Sequence, residues 1–274
     1  MLKLNLNNGV TIPQLGFGTF RAEIEEAYNS VKCALENGYR HIDTAAAYGN
    51  EQGVGRAIKD SGIDRSEIFV TSKLWNDDQG YEGTKKAFYD SMEKLQLDYI
   101  DLYLIHWPKS YEKTRASWRA MEELYEEGKI CAIGVSNFNI HHLDDLIKNA
   151  KILPAVNQVE CHVGLQNRVL QEYCNKFGIY LEAYAPLMSN RISELLSNED
   201  MIEIAKKYKK TVPQVAIRFL LQKNIIPLPK SSTPARIVSN RDVFDFSLAE
   251  EDMKTISGLN NGIKIFPEPD NIDF

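Results

Sequence analysis

Short apolar runs alternate along the chain with longer stretches in which apolar residues recur every three or four positions. That alternation predicts repeated strand-helix units around a parallel sheet. The run at 15–18 (LGFG) precedes an amphipathic stretch at 23–37, and 41–43 (HID) precedes 51–61, where Gly53 and Gly55 weaken the helix without removing it. Next come 68–73 before 84–96, and 100–106 before 115–127, with Gly128 as the stop signal. The runs at 130–135 and 155–160 precede 140–150 and 167–177. The run at 180–185 precedes a longer helical region broken near TVP at 211–213, and 225–229 precedes 234–240. Eight such units are enough to close an α/β (β/α)8 TIM barrel, with a short N-terminal β-hairpin, LKLN…VTIP, available to plug one end. An open doubly wound sheet would also use parallel strands. The even spacing of the units and the absence of GxGxxG after the first strand favour the barrel, since GFGTF at 16–20 has only GxG, with Phe20 where a phosphate loop would continue.

At 274 residues, with 43% hydrophobic and 26% charged residues, the chain is sized for one such domain over 1–274 and has enough apolar surface for a large core. Its 32 basic against 38 acidic residues give a net charge of -6, which argues against broad nucleic-acid or anionic-membrane binding and leaves any anion site local. Cys33, Cys131, Cys161 and Cys174 lack CxxC spacing and read as free, mostly buried thiols. The N-terminal MLKLNLNNGVTIP has no apolar signal core, so the expected location is cytoplasmic. Only the stretch after Asn260, GIKIFPEPDNIDF, reads as irregular.

In a barrel of this type the C-terminal strand ends face one mouth. The residues predicted there are unusually polar: Thr19 and Phe20, Asp43 with Tyr48 just beyond, Lys73, His106, Ser136 with Asn137, Gln158, Tyr184, and Lys230 with Ser231. Four of them form a proton-transfer set. A carbonyl that accepts hydride develops negative charge on oxygen and needs a proton donor with preorganised positive charge beside it. Tyr48 suits the donor, Lys73 the ammonium that lowers the phenol's pKa, Asp43 the carboxylate that keeps Lys73 charged, and neutral His106 a hydrogen-bond donor to the substrate oxygen. Singly, these residues have plainer readings. Asp43 suits a turn or cap before Thr44, Tyr48 a partly buried surface aromatic, Lys73 a strand-end charge, and His106 a structural histidine before Trp107 and Pro108. Their conjunction reverses those readings. His41, His141 and His142 read as structural or surface residues, while His162, two residues beyond Glu160, could approach the mouth. No HxH, HExxH or GxSxG spacing occurs, so neither a metal site nor a serine nucleophile is expected.

The segment GYRHIDTAAAYGNE at 38–51 resembles the signature of the aldo-keto reductases, in particular the bacterial 2,5-diketo-gluconate and methylglyoxal reductase type. LGFGTF, FVTSKLW, LDYIDLYLIHWP, GKICAIGVSNF, VNQVECH, EAYAPL and IPLPKSSTPARIVSN resemble further blocks of that family, in its order and across essentially the whole chain. The resemblance implies a catalytic tetrad of Asp43, Tyr48, Lys73 and His106 and an NADPH cofactor. It further implies that Ser136, Asn137 and Gln158 hold the nicotinamide carboxamide, that Tyr184 stacks on the ring, and that Thr19, Phe20 and Asp43 lie near its ribose. Pro186 and Leu187, within EAYAPLMSN, would close over the pyrophosphate. Lys230, Ser231 and Arg236 put two cations and a hydroxyl at a strand end and helix start, suited to a 2′-phosphate, and Asn240 resembles the residue that contacts adenine.

Phe20, Trp75 and Trp107 would give the substrate pocket apolar walls over a polar floor, suited to small aldehydes, ketoaldehydes or keto sugars. The tail has few aromatic anchors, so a fairly open pocket is expected, on a monomer. The alternative from another class is a subunit that binds NADPH on the same fold as a sensor or structural element without significant catalysis. A lost tetrad residue would mark it, and none is lost.

Overall fold

The structure, a computed structural model, describes residues 2–272 and Phe274. Strands β1 (Lys3–Asn5) and β2 (Thr11–Pro13) form an antiparallel hairpin with Leu4 opposite Ile12. The next eight strands pair in parallel in chain order: β3 (Phe17–Gly18), β4 (His41–Asp43), β5 (Phe69–Leu74), β6 (Ile100–Ile105), β7 (Ile130–Ser136), β8 (Val156–Glu160), β9 (Tyr180–Tyr184) and β10 (Ile226–Pro227). Two backbone bonds close the ring, from Gly16 N to Pro227 O at 3.1 Å and from Gly18 N to Pro229 O at 3.2 Å. The seam is tight, because a Cβ on Gly16 would stand 2.4 Å from Leu228 Cδ2 and 2.8 Å from His41 Nδ1.

Helices α1 (Ile24–Glu36), α2 (Glu51–Asp60), α3 (Tyr81–Leu95), α4 (Tyr111–Glu126), α5 (Ile140–Asn149) and α6 (Arg168–Asn175) follow the strands as the hydrophobic period predicts. Beyond β9 lie α7 (Ile192–Ser197), α8 (Glu199–Tyr208) and α9 (Val212–Gln222), and beyond β10 lie α10 (Pro234–Arg241) and α11 (Glu250–Gly258). The break at TVP is a capping box: Thr211 N donates to Gln214 Oε1 at 2.9 Å, and Thr211 Oγ1 accepts from Gln214 N, with a proline in the first turn. Helix α4 starts four residues earlier than predicted because the Ser110 hydroxyl accepts from Lys113 N and caps it. Helix α11 lies outside the predicted elements, although Glu250, Glu251 and Asp252 in its first turn match the positive end of a helix dipole.

The interior has two parts. Between strands and helices runs the main core, to which α1 contributes Ala27, Val31, Ala34 and Leu35 from one face. Inside the barrel at its N-terminal end, Leu6 and Ile12 pack on Phe69, Leu102, Leu104, Ala132, Val156 and Ile226, so the hairpin is the plug that the sequence suggested. The four cysteines are free thiols, Cys161 and Cys174 buried, Cys33 and Cys131 half-buried. Among the described residues, no helix is long and apolar enough to cross a membrane.

Candidate active site

At the other end of the barrel the interior turns polar. Strand β4 ends at Asp43, and the single turn Ala46–Tyr48, closed by Gly49 at φ 65°, lays Tyr48 back over the barrel. Lys73, from β5, is fully buried, and its Nζ donates to Asp43 Oδ1 at 2.7 Å, Asp43 Oδ2 at 2.9 Å and Thr44 O at 2.8 Å. The Tyr48 hydroxyl stands 3.5 Å from the same nitrogen. His106 extends the β6 ladder, its N donating to Leu74 O at 3.1 Å, and its ring meets Tyr48 edge-on at 5.6 Å. The four residues predicted as a proton-transfer set therefore stand together.

Burial and charge set their protonation. For Lys73 burial favours the neutral amine, but Asp43, Tyr48 and Glu182 outweigh it, and the pKa is raised. His106 is pushed well below the usual histidine range by burial and then by the Lys73 charge, which leaves it neutral, as expected. Tyr48 departs from expectation. Burial raises its pKa by more than Lys73 lowers it, so the phenol lies above its ordinary value rather than shifted towards neutrality. At neutral pH it carries the proton a donor must deliver.

A cleft of about 690 Å³ opens above this floor. Of the predicted residues, Phe20, Asp43, Tyr48, Trp75, His106, Trp107, Ser136, Asn137, Gln158, Tyr184, Pro186, Leu187 and Lys230 line it. Thr19 and Lys73 lie beneath the lining, fully buried. Ser231, Arg236 and Asn240 are not brought into the cleft: they sit beyond its Lys230 end, in the loop after β10 and on α10. There Ser231 Oγ accepts from Thr233 N at 3.1 Å, and Arg236 is exposed at the helix start. Lys230 Nζ is paired with Glu26 Oε1 at 2.9 Å.

The polar residues of β7, β8 and β9 are tied to one another. Ser136 Oγ donates to Gln158 O at 2.8 Å, Asn137 Nδ2 donates to His106 O at 3.0 Å, and the Tyr184 hydroxyl donates to Asn137 Oδ1 at 2.8 Å. Gln158 Nε2 donates to Asp43 Oδ2 at 2.8 Å and to Glu182 Oε2 at 2.9 Å.

The tail corrects one expectation. It supplies two aromatic walls, so the pocket is less open than predicted. Phe274 stacks on Trp75 at 5.8 Å with 2° between ring planes and meets Trp107 edge-on at 5.5 Å. Phe266 stands 5.2 Å from Tyr184 and 6.1 Å from Phe20. The anchor is Glu160, whose buried carboxylate accepts from Ile265 N at 2.8 Å and Phe266 N at 3.0 Å. His162 does not reach the mouth, because its Nε2 bonds Glu160 Oε1 at 2.9 Å. Arg21, at φ 59°, also lines the cleft without having been predicted, since it follows a strand end in a loop of no regular period, and Ser189, within the EAYAPLMSN stretch, lines it as well.

His141, His142 and Asp270 converge on the surface away from the cleft lining. Asn139 N donates to His142 Nδ1 at 3.1 Å, which leaves the proton on Nε2 and makes that nitrogen a donor to Asp270 rather than a metal ligand.

Residues 14–261 match the Aldo/keto reductase family. Over 272 residues the chain is 53% identical to the glyoxal reductase of Bacillus subtilis (strain 168), covering 99% of this chain and 97% of that protein. The crystal structure of an aldo-keto reductase from a Medee basin deep-sea metagenome library superposes with a TM-score of 0.98 at 63% identity, covering 100% of both chains. That of a Bombyx mori aldo-keto reductase in complex with NADP does so with 0.91 at 35% identity, covering 98% of this chain and 96% of that one.

Proposed function

The chain belongs to the aldo/keto reductase family, and from that membership we propose that its cleft reduces small aldehydes, ketoaldehydes and keto sugars to alcohols, with Tyr48 as the proton donor. The protein is an NADPH-dependent oxidoreductase. NADPH supplies a hydride to the carbonyl carbon, and the chain's own residues do the rest. Tyr48 gives its hydroxyl proton to the carbonyl oxygen as negative charge develops there. Lys73, held charged by Asp43, stabilises the phenolate left behind, and His106 Nε2 orients the oxygen toward Tyr48. Trp75, Trp107 and Phe274 wall the substrate end and exclude water.

The observation that carries this reading is the fully buried Lys73 ammonium, gripped by both oxygens of Asp43 with the Tyr48 hydroxyl beside it. A buried charge of this kind is costly, and the pairing with Asp43 is what makes it tolerable. The cleft also fits the cofactor. Ser136, Asn137, Gln158 and Tyr184 line it and would hold the nicotinamide, Phe20 with the buried Thr19 would meet its ribose, and Pro186 and Leu187 would close over the pyrophosphate. Lys230, Ser231 and Arg236 would take the 2′-phosphate and Asn240 the adenine. The free cysteines suit a cytoplasmic setting, and the exposed large apolar side chains are scattered, as on a monomer.

NADPH oxidation followed by absorbance with glyoxal, methylglyoxal, short aldehydes and keto sugars, beside NADH, tests the proposal. Turnover that prefers NADPH and favours dicarbonyls is the expected result. Tight NADPH binding with no turnover on any of them would move the protein to the sensor reading.

A further inference from the structure

One buried ionisable group beneath the cleft neither touches the substrate nor moves a proton in the chemistry above. Glu182, on β9, points into the barrel and is fully buried. It lies in register with Gln158 on β8, and Glu182 Oε2 accepts from Gln158 Nε2 at 2.9 Å. The second N–H of the same amide goes to Asp43 Oδ2 at 2.8 Å, across the barrel. Both donors of Gln158 are thereby used inside the barrel, and the carbonyl oxygen is the end left for the cleft that Gln158 lines. The opposite amide orientation would set its oxygen against the Asp43 carboxylate.

We propose that Glu182 is a positioning residue: it takes the second N–H of Gln158 and so holds the amide with its carbonyl oxygen presented to the N–H of the nicotinamide carboxamide. The inference rests on the cofactor reading above and adds to it the residue that sets the polarity of that contact. Four groups face Glu182: Gln158, Asp43, Lys73 and His41, whose Nε2 is 3.5 Å from Glu182 Oε1. Burial, and then the Asp43 charge, push the Glu182 carboxyl up to about 8. At neutral pH it is an uncharged acid, so Oε2 can accept from Gln158 without a second negative charge beside Asp43. A glutamine at this position would keep that acceptor.

The test compares equilibrium binding of NADP+ and its 3-acetylpyridine analogue, in which a methyl ketone replaces the carboxamide and no N–H remains, followed by quenching of tryptophan fluorescence. The unaltered protein is expected to prefer NADP+ by about tenfold, the scale of one lost hydrogen bond. The E182Q variant keeps that preference, and E182L binds the two ligands within about twofold of one another. E182V, smaller and suited to a strand, serves the same comparison should E182L not fold. A preference in the unaltered protein that survives in E182L or E182V overturns the role of Glu182 alone. No preference in the unaltered protein overturns the Gln158 contact and the proposal with it.

Discussion

The two ends of the barrel are made by the same strands and have opposite interiors. Strand β5 contributes Phe69 to the plugged end and Lys73 to the cleft, four residues apart on one inward-facing row. Strand β8 does the same with Val156 and Gln158. At the plugged end the side chains need only fill space, and Leu6 and Ile12 of the hairpin complete that packing. At the cleft end each buried polar atom needs a partner, and Lys73, Asp43, Gln158 and Glu182 supply one another. One end therefore contributes mainly stability, and the other spends some of it on chemistry.

Paired substitutions separate the two ends most sharply. Tyr48→Phe is expected to lower kcat by about a thousandfold while leaving the melting temperature and NADPH affinity nearly unchanged. Leu102→Ala at the plugged end is expected to cost about 3 kcal/mol of stability, with kcat at 25 °C within twofold of the unaltered protein. Near-wild-type turnover in the first variant would remove Tyr48 from the donor role. A large kcat loss in the second would show that the ends are not separable.

Glu160→Gln probes the border of the cleft. One of the carboxylate's oxygens becomes an N–H₂ facing backbone donors, and the Ile265–Phe266 anchor is weakened. KM for carbonyl substrates should rise about fivefold with kcat held, as measured by steady-state kinetics at saturating NADPH. An unchanged KM would mean that Phe266 does not shape the substrate end.

The effect that appears only below neutral pH concerns His41, which lies between the two ends with its ring edge-on to Phe69 at 5.0 Å. Burial pushes its pKa down to about 3 from an ordinary 6.5. The unfolded chain thus binds a proton that the folded chain refuses between those values. Stability is intact above pH 6.5 and falls as the pH drops towards 3, by up to about 1.4 kcal/mol per pH unit from this group. Denaturant titrations of the unaltered protein and of His41→Gln at pH 7, 5.5 and 4.5 read the difference, and parallel losses in the two would exclude His41 as a source.

Much of this was legible in the chain. The period of two against three to four placed all eight barrel strands within a residue or two, and the tetrad emerged because polar residues at strand ends have few other reasons to recur. Helix α11 was missed although its acidic first turn announced it. Ser231 was read with the mouth as a strand-end residue, whereas Arg236 and Asn240 were read as contacts of a 2′-phosphate and an adenine; all three lie past the end of β10 and outside the cleft lining, where the chain leaves the barrel. Phe266 and Phe274 had no signal, since an irregular tail carries no period from which to read direction.

The sequence by itself determined the alternation of elements, and with it the barrel and the line of polar strand ends, because those depend on local periodicity and on the direction in which every parallel strand points. Only the tertiary structure decided protonation and enclosure. Whether Tyr48 is lowered by Lys73 or raised by burial depends on how deeply several distant segments bury it together. Whether the pocket is open depends on where Glu160 anchors a tail more than a hundred residues further along the chain. Both are sums over residues remote in sequence, and no local pattern contains them.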